Sequence, residues 1–223
     1  MVAALREDIL KCGNDVTCDV LVPRVLSKLT ICVDPRRSVS KRAAELTHLT
    51  NELLQHHSPF DEHLFNMLNE FIERLPQPVC FIAHNGLRFD FPVIQAELYR
   101  IDKELPAHIV CADSLSGFRK LLQTTKHVEV ETPRSIEASE SCLNSSHQVR
   151  KRLSFSSENS LQIVPRFTLN DVYRFLLKKD PVNSHCAEKD FLSLLECIVK
   201  MGQSFTDWVD KNAVQFNSVK KMG

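Results

Sequence analysis

The sequence predicts an α/β fold, with parallel strands in one sheet and helical crossovers, on two observations. Residues 79–83 (VCFIA) and 109–111 (IVC) are short, wholly apolar runs, the pattern of strands covered on both faces. Each run is followed by a segment with helical character, and strand–helix–strand–helix order within one sheet requires crossover connections.

The elements follow in order. Residues 1–12 read as the end of a strand, apolar through Leu5 and then charged, with a polar loop over 11–19. Residues 27–33 (SKLTICV) alternate toward a second strand, closed by the turn pair Asp34-Pro35. A short helix is expected around 41–46. Ser58-Pro59 reads as a helix start, a serine N-cap followed by proline at the first helical position. Leu64, Leu68, Phe71, Ile72 and Leu75 continue it at helical spacing, and Pro76 and Pro78 stop it. After the strand at 79–83 the chain breaks at His84-Asn85-Gly86 and re-enters helix near Phe91, to about Ile101. The strand at 109–111 leads into a helix over 114–122.

Residues 123–165 change character. Ser, Thr and Glu dominate, so the segment reads as a flexible surface insertion within a single domain of 223 residues. Its Arg150-Lys151-Arg152 triplet is compatible with a nuclear signal, a nucleic-acid contact or a kinase site, though a solvated charge run is favoured. Thr168 is an N-cap for a helix over 169–178. A last long helix follows Ser184-His185, with Ala187, Phe191, Leu194, Leu195 and Ile198 on one face.

Lysine plus arginine equals aspartate plus glutamate, 28 against 28, so no whole-molecule field draws in a polyanion. Any nucleic acid must be gripped by a local site, a metal included. No run approaches the roughly 18 apolar residues of a membrane span, so no membrane partner is expected. The opening residues lack the flanks of a signal peptide. The eight cysteines form no CxxC pair, and Cys32, Cys80 and Cys111 fall inside apolar runs. Buried reduced thiols in the nucleus or cytoplasm are the expectation.

Two stretches carry chemistry. In AHNGLRFDFP (83–92), Asp90 stands at a helix N-terminus beyond the carboxyl end of a buried strand, the usual ligand edge of open α/β sheets. A carboxylate there suits a divalent cation, although helix capping explains it equally well when taken alone. In SHCAEKD (184–190), His185 lies at the mouth of the last helix and Asp190 falls in its first turns. The pair suits a histidine on a water and an aspartate on the metal that activates it, against the plain alternative of a loop histidine and a helix-dipole aspartate.

Taken together, the strings HNGxRxDFPxxQAEL, CADSLSGFRKL, FTLNDVYRFL and SHCAEKDFLSLL resemble the DEDDh group of the DnaQ-like exonucleases, and within it the TREX (three-prime repair exonuclease) branch. The likeness runs from about Glu7 to Val209, interrupted by the insertion. It implies an RNase H-like mixed sheet flanked by helices, two Mg²⁺ ions (or Mn²⁺), and 3′→5′ removal of nucleotides from single-stranded or frayed DNA 3′ ends. By position it makes Asp90 and Asp190 metal ligands and His185 the general base, with Phe89, Asn85 and Arg88 against the nucleic acid. It also implies a homodimer through the strand at 27–33, with Leu29, Ile31 and Arg74 at the interface. Two metals about 4 Å apart generate the attacking hydroxide and neutralise the leaving oxygen, which requires several carboxylate oxygens.

One departure is large. The family's opening strand carries an Asp-x-Glu pair, and none precedes Asp90 here; Glu7-Asp8 is adjacent rather than alternate, so its side chains cannot share a strand face. Residues 1–12 resemble the family's second strand, so the chain is expected to begin one strand late. The absent strand would lie between that second strand and the one at 79–83. A destabilised, metal-poor variant whose catalysis falls drastically or vanishes is then expected, or alternatively a form that binds DNA ends or pairs with full-length subunits without cutting. His48, where the family has glycine, is expected to be a surface residue.

Overall fold

The computed structural model describes residues 1–14, 22–124, 166–181 and 186–222. Five short strands are described within them. β1 (Val2–Ala3) pairs antiparallel with β2 (Ser27–Lys28). β3 (Cys80–Ala83) pairs parallel with β4 (Val110–Asp113), Cys80 opposite Val110 and Ala83 opposite Asp113. β4 in turn pairs antiparallel with β5 (Val214–Gln215). Among the described residues these form two sheets that do not hydrogen-bond to each other. The mixed α/β architecture is compatible with an RNase H-like exonuclease fold.

The helices are α1 (Arg6–Asn14), α2 (Lys41–Thr47), α3 (Asn51–Leu54), α4 (Glu62–Glu73), α5 (Asp90–Arg100), α6 (Ser114–Thr124), α7 (Leu169–Leu177), α8 (Ala187–Met201) and α9 (Gln203–Asn212). α5 makes the expected crossover between β3 and β4. Two apolar clusters form on either side of β3. One holds Ile72 of α4, Phe91 and Leu98 of α5, and Phe216, with Phe81 and Ala83 packed against it. The other holds Phe118, Val172, Leu194, Ile198 and Phe205 from α6 to α9, with Ile82 packed against it. Successive residues of β3 thus address opposite clusters, as the pleat dictates.

Several expectations change. Residues 6–14 are helix rather than strand and loop. α1 is held by tertiary contacts: Ile9 packs into the second cluster, and Arg6 donates to both Asp210 oxygens at 2.7 and 2.8 Å. The expected strand at 27–33 shrinks to two residues, and Ile31 and Cys32 are exposed. Ser58-Pro59 does not start α4. Asp61 does, accepting the Leu64 N–H at 2.9 Å. Residues 58–59 are instead drawn toward Asp34, whose N–H donates to the Ser58 carbonyl and which bridges Pro59. The run at 79–83 is only half-buried over β3, because one edge borders a cleft. β5 and α9 have no counterpart in the sequence-based reading. The insertion falls outside the described residues from 125 on, and 123–124 complete α6.

Among the described residues no cysteine is in a disulfide. Burial pushes Cys80 and Cys197 up to about 12 and Cys111 to about 11, which keeps them protonated and unreactive. Cys32 and Cys186 are exposed, against the expectation of burial for Cys32.

Candidate active site

The turn between β3 and α5 is built around a buried acid. Asp113, at the carboxyl end of β4, is 5% exposed. Its Oδ1 accepts the N–H groups of Asn85 and Leu115 at 2.9 and 3.0 Å, and Oδ2 accepts that of Leu87 at 3.4 Å. One carboxylate therefore fixes the 84–89 turn and the start of α6 together. Asn85 takes a left-handed conformation, φ 66°. Gly86 is required by space, since a Cβ there would sit 2.7 Å from the Ala83 Cβ and 2.8 Å from the Phe91 ring.

His84 ties the same turn to α7. Its Nε2 is 2.9 Å from the Phe167 carbonyl and its Nδ1 is 3.1 Å from the Ser114 hydroxyl. A carbonyl only accepts, so Nε2 carries the proton. Burial lowers the His84 pKa, outweighing the carbonyl bond and the nearby Asp113, which keeps the ring neutral and both nitrogens engaged. His84 is a brace rather than a base.

This frame delivers Asp90 as the first residue of α5. The preceding Phe89 is the N-cap and makes no side-chain cap bond, so Asp90 does not act as the cap. Burial, with the negative Asp113 nearby, raises the Asp90 pKa. Asp190 lies in the first turn of α8, its N–H donating to the Cys186 carbonyl at 2.9 Å. Asp90 and Asp190 border one cleft of about 420 Å³, together with His84, Phe89, Asn170 and Phe191. Phe89 is 60% exposed at its rim. Arg88 is exposed on the same turn and Asn85 is half-buried. His185 lies outside the described residues. Leu29 packs against the first cluster, whereas Ile31 and Arg74 are exposed.

Asp90 and Asp190 are the carboxylates at this cleft that would hold a hard divalent cation. Two carboxylates from different elements meet at one opening, and among the described residues no lysine or arginine pairs with Asp90. Among the described residues no three of His, Cys, Asp or Glu are grouped to hold a metal ion. The sequence singled out Asp90 and Asp190 but missed Asp113 and His84. The signal for Asp113 was present: it ends an apolar strand, the position that drew attention to the segment before Asp90.

No family model matches the chain. Among curated proteins it is similar to three-prime repair exonuclease 1 of Bos taurus, 33% identical over 203 residues, covering 90% of this chain and 55% of the relative. The Homo sapiens counterpart is 32% identical over 202 residues, covering 89% and 54%. Three prime repair exonuclease 2 of Mus musculus is 28% identical over 211 residues, covering 94% and 77%. The chain thus spans about half the length of the first two relatives.

Proposed function

We propose, from the chain's relationship to the three-prime repair exonucleases of the DnaQ-like group, that the cleft between Asp90 and Asp190 is the cation-binding part of a site that removes nucleotides from DNA 3′ ends. The observation that carries this reading is the meeting of these two acids, from α5 and α8, at one cleft with an exposed aromatic at its rim. Asp90 and Asp190 hold the cation, Mg²⁺ or Mn²⁺. When bound, it neutralises charge on the phosphate and makes water a better nucleophile. Phe89 offers a stacking face to a terminal base, favouring a single-stranded or frayed end. Arg88 and Asn85 face the phosphodiester backbone from the same turn. His185 takes the proton of the attacking water.

A second reading is a form that binds DNA 3′ ends, or pairs with fuller subunits, without cutting. The observation favouring it is that the described cleft is bordered by two acids, where a pair of cations needs more. Homodimer formation through Leu29, Ile31 and Arg74, and residence in the nucleus or cytoplasm, belong to the same proposal.

The test uses a 5′-labelled single-stranded oligonucleotide with Mg²⁺. Stepwise shortening from the 3′ end is expected, abolished by EDTA and reduced at least a hundredfold in Asp190→Asn. Retention of the oligonucleotide without shortening selects the second reading. Neither retention nor shortening removes both.

A further inference from the structure

The chain concentrates positive charge at one exposed loop, although its net charge is zero. Arg36, Arg37, Lys41 and Arg42 fall within seven residues, and no acid stands between Pro35 and Ala44. All four are exposed. Among the described residues no carboxylate pairs with any of them, the neighbouring Asp34, Glu45 and Glu52 included. By contrast Arg6, Lys28, Arg100, Lys103 and Arg174 each meet an acid within 4.0 Å.

The loop is held in shape from both ends. The Asp34 N–H donates to the Ser58 carbonyl at 3.0 Å, and Asp34 Oδ1 accepts the Arg36 N–H at 2.9 Å. At the other end Asn51 brackets Val39, accepting its N–H at 2.7 Å and donating to its carbonyl at 3.3 Å. Ser40 then caps α2 through the Ala43 N–H. Charge here runs against local preference twice. Arg36 sits in the left-handed region, φ 52°, which suits glycine or asparagine better. Lys41 and Arg42 occupy the first turn of α2, the positive end of the helix dipole, where acids are favoured and none is present. Like charges crowded on a pinned loop, with no acid to offset them, suit an external polyanion.

Three of the four are arginine, whose planar fork pairs two donors with phosphate oxygens. Residues 36–42 span at most about 21 Å, over which one strand of a duplex carries about six phosphates. A row of phosphates thus matches a row of cations. A lipid surface also offers phosphates, and Leu46, Leu49 and Leu53 are exposed beyond the loop. Segments that lie in a lipid interface do so as amphipathic helices, often of about 20–30 residues, whereas α2 and α3 have seven and four.

We propose that Arg36, Arg37, Lys41 and Arg42 form a nucleic-acid contact separate from the acid cleft, which grips DNA backbone phosphates without regard to sequence. The choice of DNA rests on the nuclease reading, while the test needs no cutting.

The probe is a fluorescein-labelled single-stranded oligonucleotide of about 20 nucleotides, bound to the full chain in EDTA and followed by anisotropy between about 50 and 200 mM NaCl. With Arg36→Gln, Arg37→Gln, Lys41→Gln and Arg42→Gln combined, affinity at the lower salt is expected to fall at least tenfold. The log–log salt slope should become shallower by about 3, at about 0.7 per phosphate contact. Arg36→Lys, Arg37→Lys and Arg42→Lys combined keep every charge and are expected to keep the slope. A slope change below about 1 in the glutamine variant overturns the proposal, as does an equal loss in the lysine variant, which would mark a disturbed loop. Wild-type chain that fails to bind the oligonucleotide, whether or not it binds phosphatidylserine vesicles, overturns it too. Absence of shortening with Mg²⁺ beside an intact salt effect removes the nuclease reading and leaves this contact standing.

Discussion

Asp113 carries more of the site than any residue that faces the cleft more openly. Replacing it with alanine leaves the N–H groups of Asn85, Leu87 and Leu115 without their acceptor in a partly buried turn. A loss of about 1–3 kcal/mol is expected, read by urea denaturation. An unchanged midpoint would show that water replaces the carboxylate without cost. At this scale the sequence was informative where type and position coincide, as with Asp90 at a strand–helix junction and Asp190 in a first helical turn. It was silent on His84, whose identity as a neutral brace depends on the Phe167 carbonyl and Ser114 hydroxyl, brought together from distant parts of the chain. No local pattern encodes that meeting.

The elements that sequence reading found are those with their own start and stop signals. α4 has apolar residues at helical spacing and a pair of prolines beyond its end, and α7 has Thr168, whose hydroxyl accepts the Asp171 N–H at 3.2 Å. The start of α4 was misplaced because two capping signals stand close together, and only the tertiary bridge from Asp34 decides between them. α1 and β5 were missed because both are stabilised from outside, α1 by Arg6–Asp210 and β5 by its pairing with β4. α9 is anchored by Phe205, fully buried between the Phe118 ring at 5.2 Å and the Trp208 ring at 5.9 Å. Gly117 lets α6 approach closely, since a Cβ there would meet the Trp208 ring at 2.9 Å. Phe205→Ala is expected to cost about 3–5 kcal/mol in chemical denaturation. A cost below about 1 kcal/mol would mean that α9 docks without this contact.

For the molecule as a whole, the α/β order, the crossover through α5 and the pair of acids were legible in the sequence. The division into two sheets, and the cleft between them, are properties of packing that strand patterns do not report. With net charge zero, the chain has no long-range field to draw in DNA, so recognition must be local. In the proposed function Asp90 and Asp190 act together as one cation site. Electron paramagnetic resonance of free Mn²⁺ during titration of the full chain tests this directly. Saturable binding of one Mn²⁺ per chain is expected, weakened at least tenfold by Asp90→Asn and by Asp190→Asn alike. Mn²⁺ binding that is undiminished in both variants, or no binding at millimolar Mn²⁺, would contradict it.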